Sequence, residues 1–200
     1  MKNKFFTIFL VICGLFLIFT ITKYYLNDVE TRHAASLPVF GQVSAFSLYN
    51  VEEQPFGLTN LQGKTWIANF FFTTCVDICP MMSAHMASLN RSFELEKDVH
   101  LVSFTVNPEQ DSPQVLLEYA KKFKANTDKW HFLTGSREEL TQIAVQSFKL
   151  GDVKEPIFHS TYFCLVDGEG RIRGYYEGMK KEGINQLFKD ASILLKYKYD

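Results

Sequence analysis

The segment Cys75-Val76-Asp77-Ile78-Cys79-Pro80 holds two of the chain's four cysteines, with three residues between them. Two thiols so spaced can close a disulfide or hold one soft metal ion. If residues 75–79 form a first helical turn, positions i and i+4 share a face, about 5–6 Å apart between Cβ atoms. That is near disulfide range, although closing the bond draws the Cβ atoms closer. Pro80 is compatible with a first turn, because the first four helical N–H groups have no partner inside the helix. A helix N-terminus also favours negative charge and so lowers a thiol pKa. The competing reading makes both residues inert, small apolar side chains of the core. The helix-start context and the polar loop around them argue against that burial.

The elements that position the pair can be read outward from it. Residues 66–72 are a near-continuous apolar run that fits a strand buried on both faces, followed by a Thr73-Thr74 turn. After Pro80, residues Met82, His85, Met86, Leu89 and Phe93 recur at three- and four-residue intervals, the stripe of a packed helix. Met81 and Met82 read as helix packing rather than as thioether ligands, and His85 as a packed or partly exposed side chain. Residues 99–106 form the next strand. Ser112-Pro113 opens a helix with Ser as N-cap and Pro at N1. Residues 130–135 suggest a short strand, and Ser136-Arg137-Glu138-Glu139 is a capping box that starts a helix reaching about Phe148. Residues 161–166 and 171–176 are strands joined by the turn Asp167-Gly168-Glu169-Gly170. Residues 181–195 form the last helix. Ahead of all this, residues 46–49 and 55–58 suggest a short hairpin. Strands alternating with helices, then a hairpin and a helix, indicate an α/β domain with a mixed central sheet flanked by helices.

The 200 residues suit one domain of roughly 150 residues plus an appendage. Residues 5–22 carry no charge and are dominated by Phe, Ile, Leu and Val. About 18 such residues nearly span a bilayer's hydrocarbon core. Lys2 and Lys4 precede the run, so the positive-inside rule keeps the N-terminus in the cytoplasm and exports the rest. The first small-residue cluster, Ala34-Ala35-Ser36, lies well beyond the run, which favours an uncleaved anchor over a cleaved signal peptide. Cys13 follows Ile12 rather than a small residue and sits inside the apolar run, so it reads as a membrane-helix residue rather than a lipidation site. The division expected is a cytoplasmic stub and transmembrane signal anchor at 1–23, a linker at 24–38, and a folded domain at 39–200. Net charge is −1 and no basic cluster stands out, which gives no support to nucleic-acid binding. Three cysteines remain in the exported part. An odd count is no structural disulfide framework, but one functional pair plus Cys164, which alternates with Tyr162 and Val166 as a core residue.

Two thiols at the end of the first core strand of such a domain resemble the thioredoxin superfamily. Four blocks point more narrowly. Gly63-Lys64-Thr65-Trp66-Ile67-Ala68-Asn69-Phe70-Phe71-Phe72-Thr73-Thr74-Cys75 with its Cys-x3-Cys-Pro resembles the Sco/SenC family of copper-binding cytochrome c oxidase assembly proteins. So do Ser103-Phe104-Thr105-Val106-Asn107-Pro108-Glu109-Gln110-Asp111-Ser112-Pro113, Trp130-His131-Phe132-Leu133-Thr134-Gly135, and His159-Ser160. The blocks fall in family order across roughly residues 40–196, and the single anchor fits the family. The resemblance implies a thioredoxin-like fold in which Cys75, Cys79 and His159 bind copper. Donor chemistry agrees, because soft thiolates select Cu(I) and imidazole accepts either oxidation state. Two positions depart from the family's pattern. Phe158 stands where Asp commonly precedes the histidine, and Asn107 stands where Asp is common; the first removes a partner that would orient the ring.

The resemblance implies a membrane-anchored copper metallochaperone, its soluble domain outside the cytoplasm of a bacterial cell. It would deliver copper to the binuclear copper site of cytochrome c oxidase, with that copper-site subunit as partner. The alternative is a thiol–disulfide reductase that keeps the cysteines of such a site, or of another exported cuproprotein, reduced. Both use Cys75 and Cys79; only the first requires His159. Thioredoxin-like oxidoreductases usually carry Cys-x2-Cys and a proline just before the strand at 161–166. Here the gap is three and Thr161 stands near that place, with Pro156 the nearest proline, which shifts weight toward metal. A peroxiredoxin-like peroxidase would need an activating arginine, and no arginine flanks Cys75.

Overall fold

The computed structural model describes residues 2–151 and 160–196. It divides into two units, Met1–Ser36 and Leu37–Asp200. The first is a single helix, α1 (Lys2–Ser36). Its stretch Ile8–Leu26 has a mean hydropathy of 2.0 and no buried residue, long and apolar enough to cross a membrane. Nineteen residues rise about 28 Å, close to the hydrocarbon thickness of a bilayer. The helix does not stop at Lys23. The segment expected as a linker continues it to Ser36, because no Gly or Pro interrupts residues 15–37 and Pro38 is the first breaker.

The second unit is built on a six-stranded mixed sheet. Its strands are β1 (Gly41–Gln42), β4 (Thr65–Phe71), β5 (Val99–Thr105), β6 (Trp130–Leu133), β7 (Tyr162–Val166) and β8 (Arg171–Glu177), in the order β1-β8-β7-β4-β5-β6. Strands β4, β5 and β6 run parallel, while β7 is antiparallel to β4, β8 to β7 and β1 to β8. All seven residues of both β4 and β5 are buried, as expected of central strands covered on both faces. The hairpin β2 (Ser47–Tyr49) and β3 (Pro55–Gly57) stands apart and touches the sheet through a Tyr49–Thr134 bridge.

Alternation along β4 sends side chains to two cores. Trp66, Ala68 and Phe70 pack with Val102, Phe104, Leu133 and Phe148 under α4 (Arg137–Gln142). The capping box that starts α4 is present, with Ser136 Oγ accepting from Glu139 N. The helix then loosens into a π-turn at Ile143–Ser147, which delivers Phe148 edge-on to both Trp66 and Phe70. On the other face, Phe71 meets Tyr119 of α3 (Pro113–Lys122), and Phe93 at the end of α2 (Ile78–Ser92) stacks on Phe188 of α5 (Lys181–Lys196). Between the parallel strands runs a buried polar chain, Trp130 Nε1 to Ser103 Oγ (2.8 Å) and Ser103 Oγ to Asn69 Oδ1 (2.6 Å). It satisfies groups that would otherwise be costly to bury.

At the turn between β7 and β8, Asp167 is fully buried and accepts from the buried Arg173 at 2.9 Å and from Arg171 at 2.8 Å. Arg173 also donates to the carbonyls of Leu37 (2.8 Å) and Pro38 (3.3 Å), the first residues of this unit.

Candidate metal centre

The parallel strands β4 and β5 end side by side, and the loops that follow them build the site. Beyond Phe71 the chain turns, with Cys75 N donating to Phe72 O at 3.3 Å. Helix α2 begins only at Ile78, with Asp77 as its N-cap. Residues 75–79 are therefore not one helical turn. Cys75 lies in the loop and Cys79 is the second helical residue. The loop wraps so that the backbone amides of Asp77, Ile78 and Cys79 face the Cys75 sulfur, and a regular turn through Cys75 would point them elsewhere.

Burial also differs from expectation. Cys75 is 9% and Cys79 4% exposed, because the first turn of α2 packs inward, while Val76 between them is 94% exposed. The thiols thus sit just beneath a projecting loop, shielded from bulk water but within reach of a molecule that docks on it.

The two thiols lie near enough to perturb each other, and their chemistry is unequal. For Cys75, burial acts to raise the pKa, but the Cys79 thiol and the three backbone amides outweigh it, and the thiol sits below its ordinary value. For Cys79, burial and the neighbouring Cys75 push the thiol up to about 12, with the nearby Asp111 carboxylate adding to the rise. Cys79 thus keeps its proton to higher pH than Cys75 does. A pair of soft sulfur donors so placed suits a soft monovalent ion. Among the described residues, no third Cys, His, Asp or Glu joins them as a ligand cluster. All four cysteines are free thiols, and Cys164 is wholly buried in β7 with its thiol pushed up by burial, as a core residue should be.

The loop after β5 interlocks with the cysteine loop, which sequence reading missed. Asp111 is fully buried and accepts from Thr73 N (3.2 Å), Thr73 Oγ1 (2.5 Å) and Thr105 Oγ1 (2.5 Å). Beside it, Thr74 Oγ1 donates to Gln110 Oε1 (3.4 Å), which also accepts from Asn107 Nδ2 (3.1 Å). Asn107 therefore has a role of its own: an Asp there would have no N–H to give Gln110.

Of the other candidates, Met82 and Met86 are buried in the α2 stripe, His85 is half-buried and Met81 is exposed. His100 and His131 form a pair that sequence reading passed over: their rings stack at 11°, with His100 Nδ1 3.0 Å from His131 Nε2. His159, with Phe158 and Pro156, lies outside the described residues. The chain is described again from Ser160, which is buried and accepts from Tyr162 N at the start of β7. Because β7 is antiparallel to β4, its beginning lies at the sheet end where β4 stops and the cysteine loop starts.

This fold is thioredoxin-like, with a mixed sheet, flanking helices and a thiol pair after the first parallel strand. Residues 38–191 match the SCO1/SenC family, and the chain belongs to that family. It is 35% identical over 161 residues to the SCO1 protein homolog of Bacillus subtilis (strain 168), covering 77% of this chain and 83% of that protein. Among solved structures it is similar to BsSco, a member of the Sco family of cytochrome c oxidase assembly proteins in which a disulfide switch has been identified. The TM-score is 0.66 at 33% identity, covering 78% of this chain and 96% of the other. It is also similar to copper-bound ScoI of Arabidopsis thaliana, with TM-score 0.60 at 29% identity over 75% of this chain and 94% of that one.

Proposed function

We propose that the protein is a copper metallochaperone for cytochrome c oxidase, anchored by α1 and working outside the cytoplasm. The observation that carries the reading is the placing of two buried, free thiols, Cys75 and Cys79, on either side of the exposed Val76 at the start of α2. Copper is the cargo. Its capture replaces the two thiol protons, which leave to solvent, and its delivery is an exchange of thiolate ligands for those of the recipient. The resting pair is arranged for this, with the Cys75 thiol easier to ionise than an ordinary cysteine and Cys79 kept protonated until a cation arrives. His159 is proposed as the third ligand. It is one peptide bond from Ser160, whose place at the cysteine end of the sheet supports the assignment.

Thiolates supply most of the affinity for Cu(I), whereas imidazole matters more for the harder Cu(II). Titration of the full chain in detergent should therefore show His159→Ala losing stable Cu(II) binding. Cu(I) should bind moderately more weakly, and disulfide formation should be unchanged. A variant that binds both ions like the wild type removes His159 from the site.

The same asymmetry of thiols favours a second reading, reduction of a partner's disulfide. Cys75 thiolate would attack one partner sulfur, the other leaving as a thiolate. Cys79 would then resolve the mixed disulfide, passing two electrons to the partner and leaving Cys75 bonded to Cys79. Retained oxidase assembly in His159→Ala cells would favour this role over metal delivery.

A further inference from the structure

Asp111 is fully buried, yet it belongs to the turn after β5 and not to the cysteine loop. A buried carboxylate is costly without donors. Those it has come from Thr73, through both N–H and hydroxyl, and from Thr105. One backbone N–H and two threonine hydroxyls thus meet its two oxygens. Thr105 is the last residue of β5 and is locked in the sheet, with its partner Phe71 on β4. Thr73 is two residues before Cys75 and lies in the loop. The carboxylate therefore ties the loop to the sheet at the point where the loop departs. Thr74, held by Gln110, is a weaker second tie from the same turn.

We infer that Asp111 is the positioning residue of the cysteine pair: through Thr73 it fixes the backbone ahead of Cys75 and so presents Cys75 to Cys79. Two thiols on one chain react as an intramolecular pair whose effective concentration depends on how narrowly their separation is held. Loosening the tie lets the loop sample arrangements in which the sulfurs are apart, which favours the dithiol over the disulfide. An Asp111 that merely satisfied buried threonines would affect the stability of the domain and leave the thiol equilibrium alone. The inference rests on the pairing of Cys75 with Cys79 in the proposed function.

The test uses the full chain in detergent, equilibrated with glutathione redox buffers, as wild type, Asp111→Asn, Thr73→Val and Thr73→Ser. Asp111→Asn and Thr73→Val should move the equilibrium at least tenfold toward the dithiol, about 30 mV for a two-electron couple. Thr73→Ser keeps both donors and should stay with the wild type. Amide hydrogen exchange at Thr73 and Cys75 should quicken in the first two variants while β5 is unchanged. A wild-type equilibrium in Thr73→Val overturns the inference, and so does an equal shift in Thr73→Ser. If Asp111→Asn does not fold, the two Thr73 variants decide. If the wild type itself forms no Cys75–Cys79 disulfide, the pairing is refuted. The exchange rates then judge Asp111 alone, faster exchange supporting the tie and unchanged exchange overturning it.

Discussion

At the scale of single residues, the unequal thiols divide the chemistry between them. Cys75 is held below its ordinary pKa against the opposing effect of burial by the Cys79 thiol and three amides, while Cys79 is pushed up to about 12. Nucleophilic attack needs the thiolate. Among the three cysteines that follow α1, iodoacetamide near neutral pH should therefore label Cys75 first, with Cys79 and the wholly buried Cys164 trailing. Peptide mapping by mass spectrometry would show the order, and labelling of Cys79 ahead of Cys75 would contradict it. The pair itself was legible, because spacing and the preceding apolar run are local properties of the sequence. Asp111 was not. An aspartate in a polar loop reads as solvated, and its partners Thr73 and Thr105 meet it only once β4 and β5 lie side by side. The burial of the thiols was misread for a related reason: polar neighbours in sequence say little about which way a loop wraps.

At the scale of elements, the central parallel strands were legible, since a strand buried on both faces is mostly apolar along its length. Boundaries were less visible. The start of α2 moved to Ile78 because the amides it would have used turn toward the Cys75 sulfur instead. The expected helix to Phe148 is real but splits into α4 and a π-turn, a change that packing of Phe148 dictates and periodicity does not record.

The His100–His131 pair depends on register. His131 pairs with Val102, so His100 is its diagonal neighbour on the same face of the sheet. Burial, then the charges of Lys64 and Lys129, lower His100 to about 4, against a weaker opposing effect of Asp98. Burial, then His100 and Lys64, lower His131 to about 3. Both values lie below the ordinary 6.5, so the unfolded chain takes up these protons first as pH falls. The stability contributed by the neutral pair is complete above pH 6.5 and is lost as pH falls from 6.5 toward about 4. The thermal midpoint should drop between pH 7 and pH 5, and His131→Phe should flatten the dependence. A midpoint that does not move over that interval would count against the pair.

At the scale of the whole molecule, Lys2 and Lys4 precede the apolar stretch of α1, and the thiol-bearing domain follows it. A reporter enzyme fused after Asp200 should be active only outside the cytoplasm, and activity inside would overturn the proposed orientation. The family was legible because its four blocks are contiguous strings in the right order. Continuation of the helix to Ser36 was also written in the sequence, in the absence of any breaker before Pro38.

If α1 anchors the domain as proposed, any pull on it enters the domain at Leu37, and the path of that tension is set by where Leu37 is fastened. Arg173 grips the carbonyls of Leu37 and Pro38 and is itself braced by Asp167. A tug arriving at Leu37 is therefore taken up by β8 and its turn. That strand is separated by β7 from β4, which carries the cysteine loop. The cysteine loop thus departs from a strand two places across the sheet from the one that would take a load first.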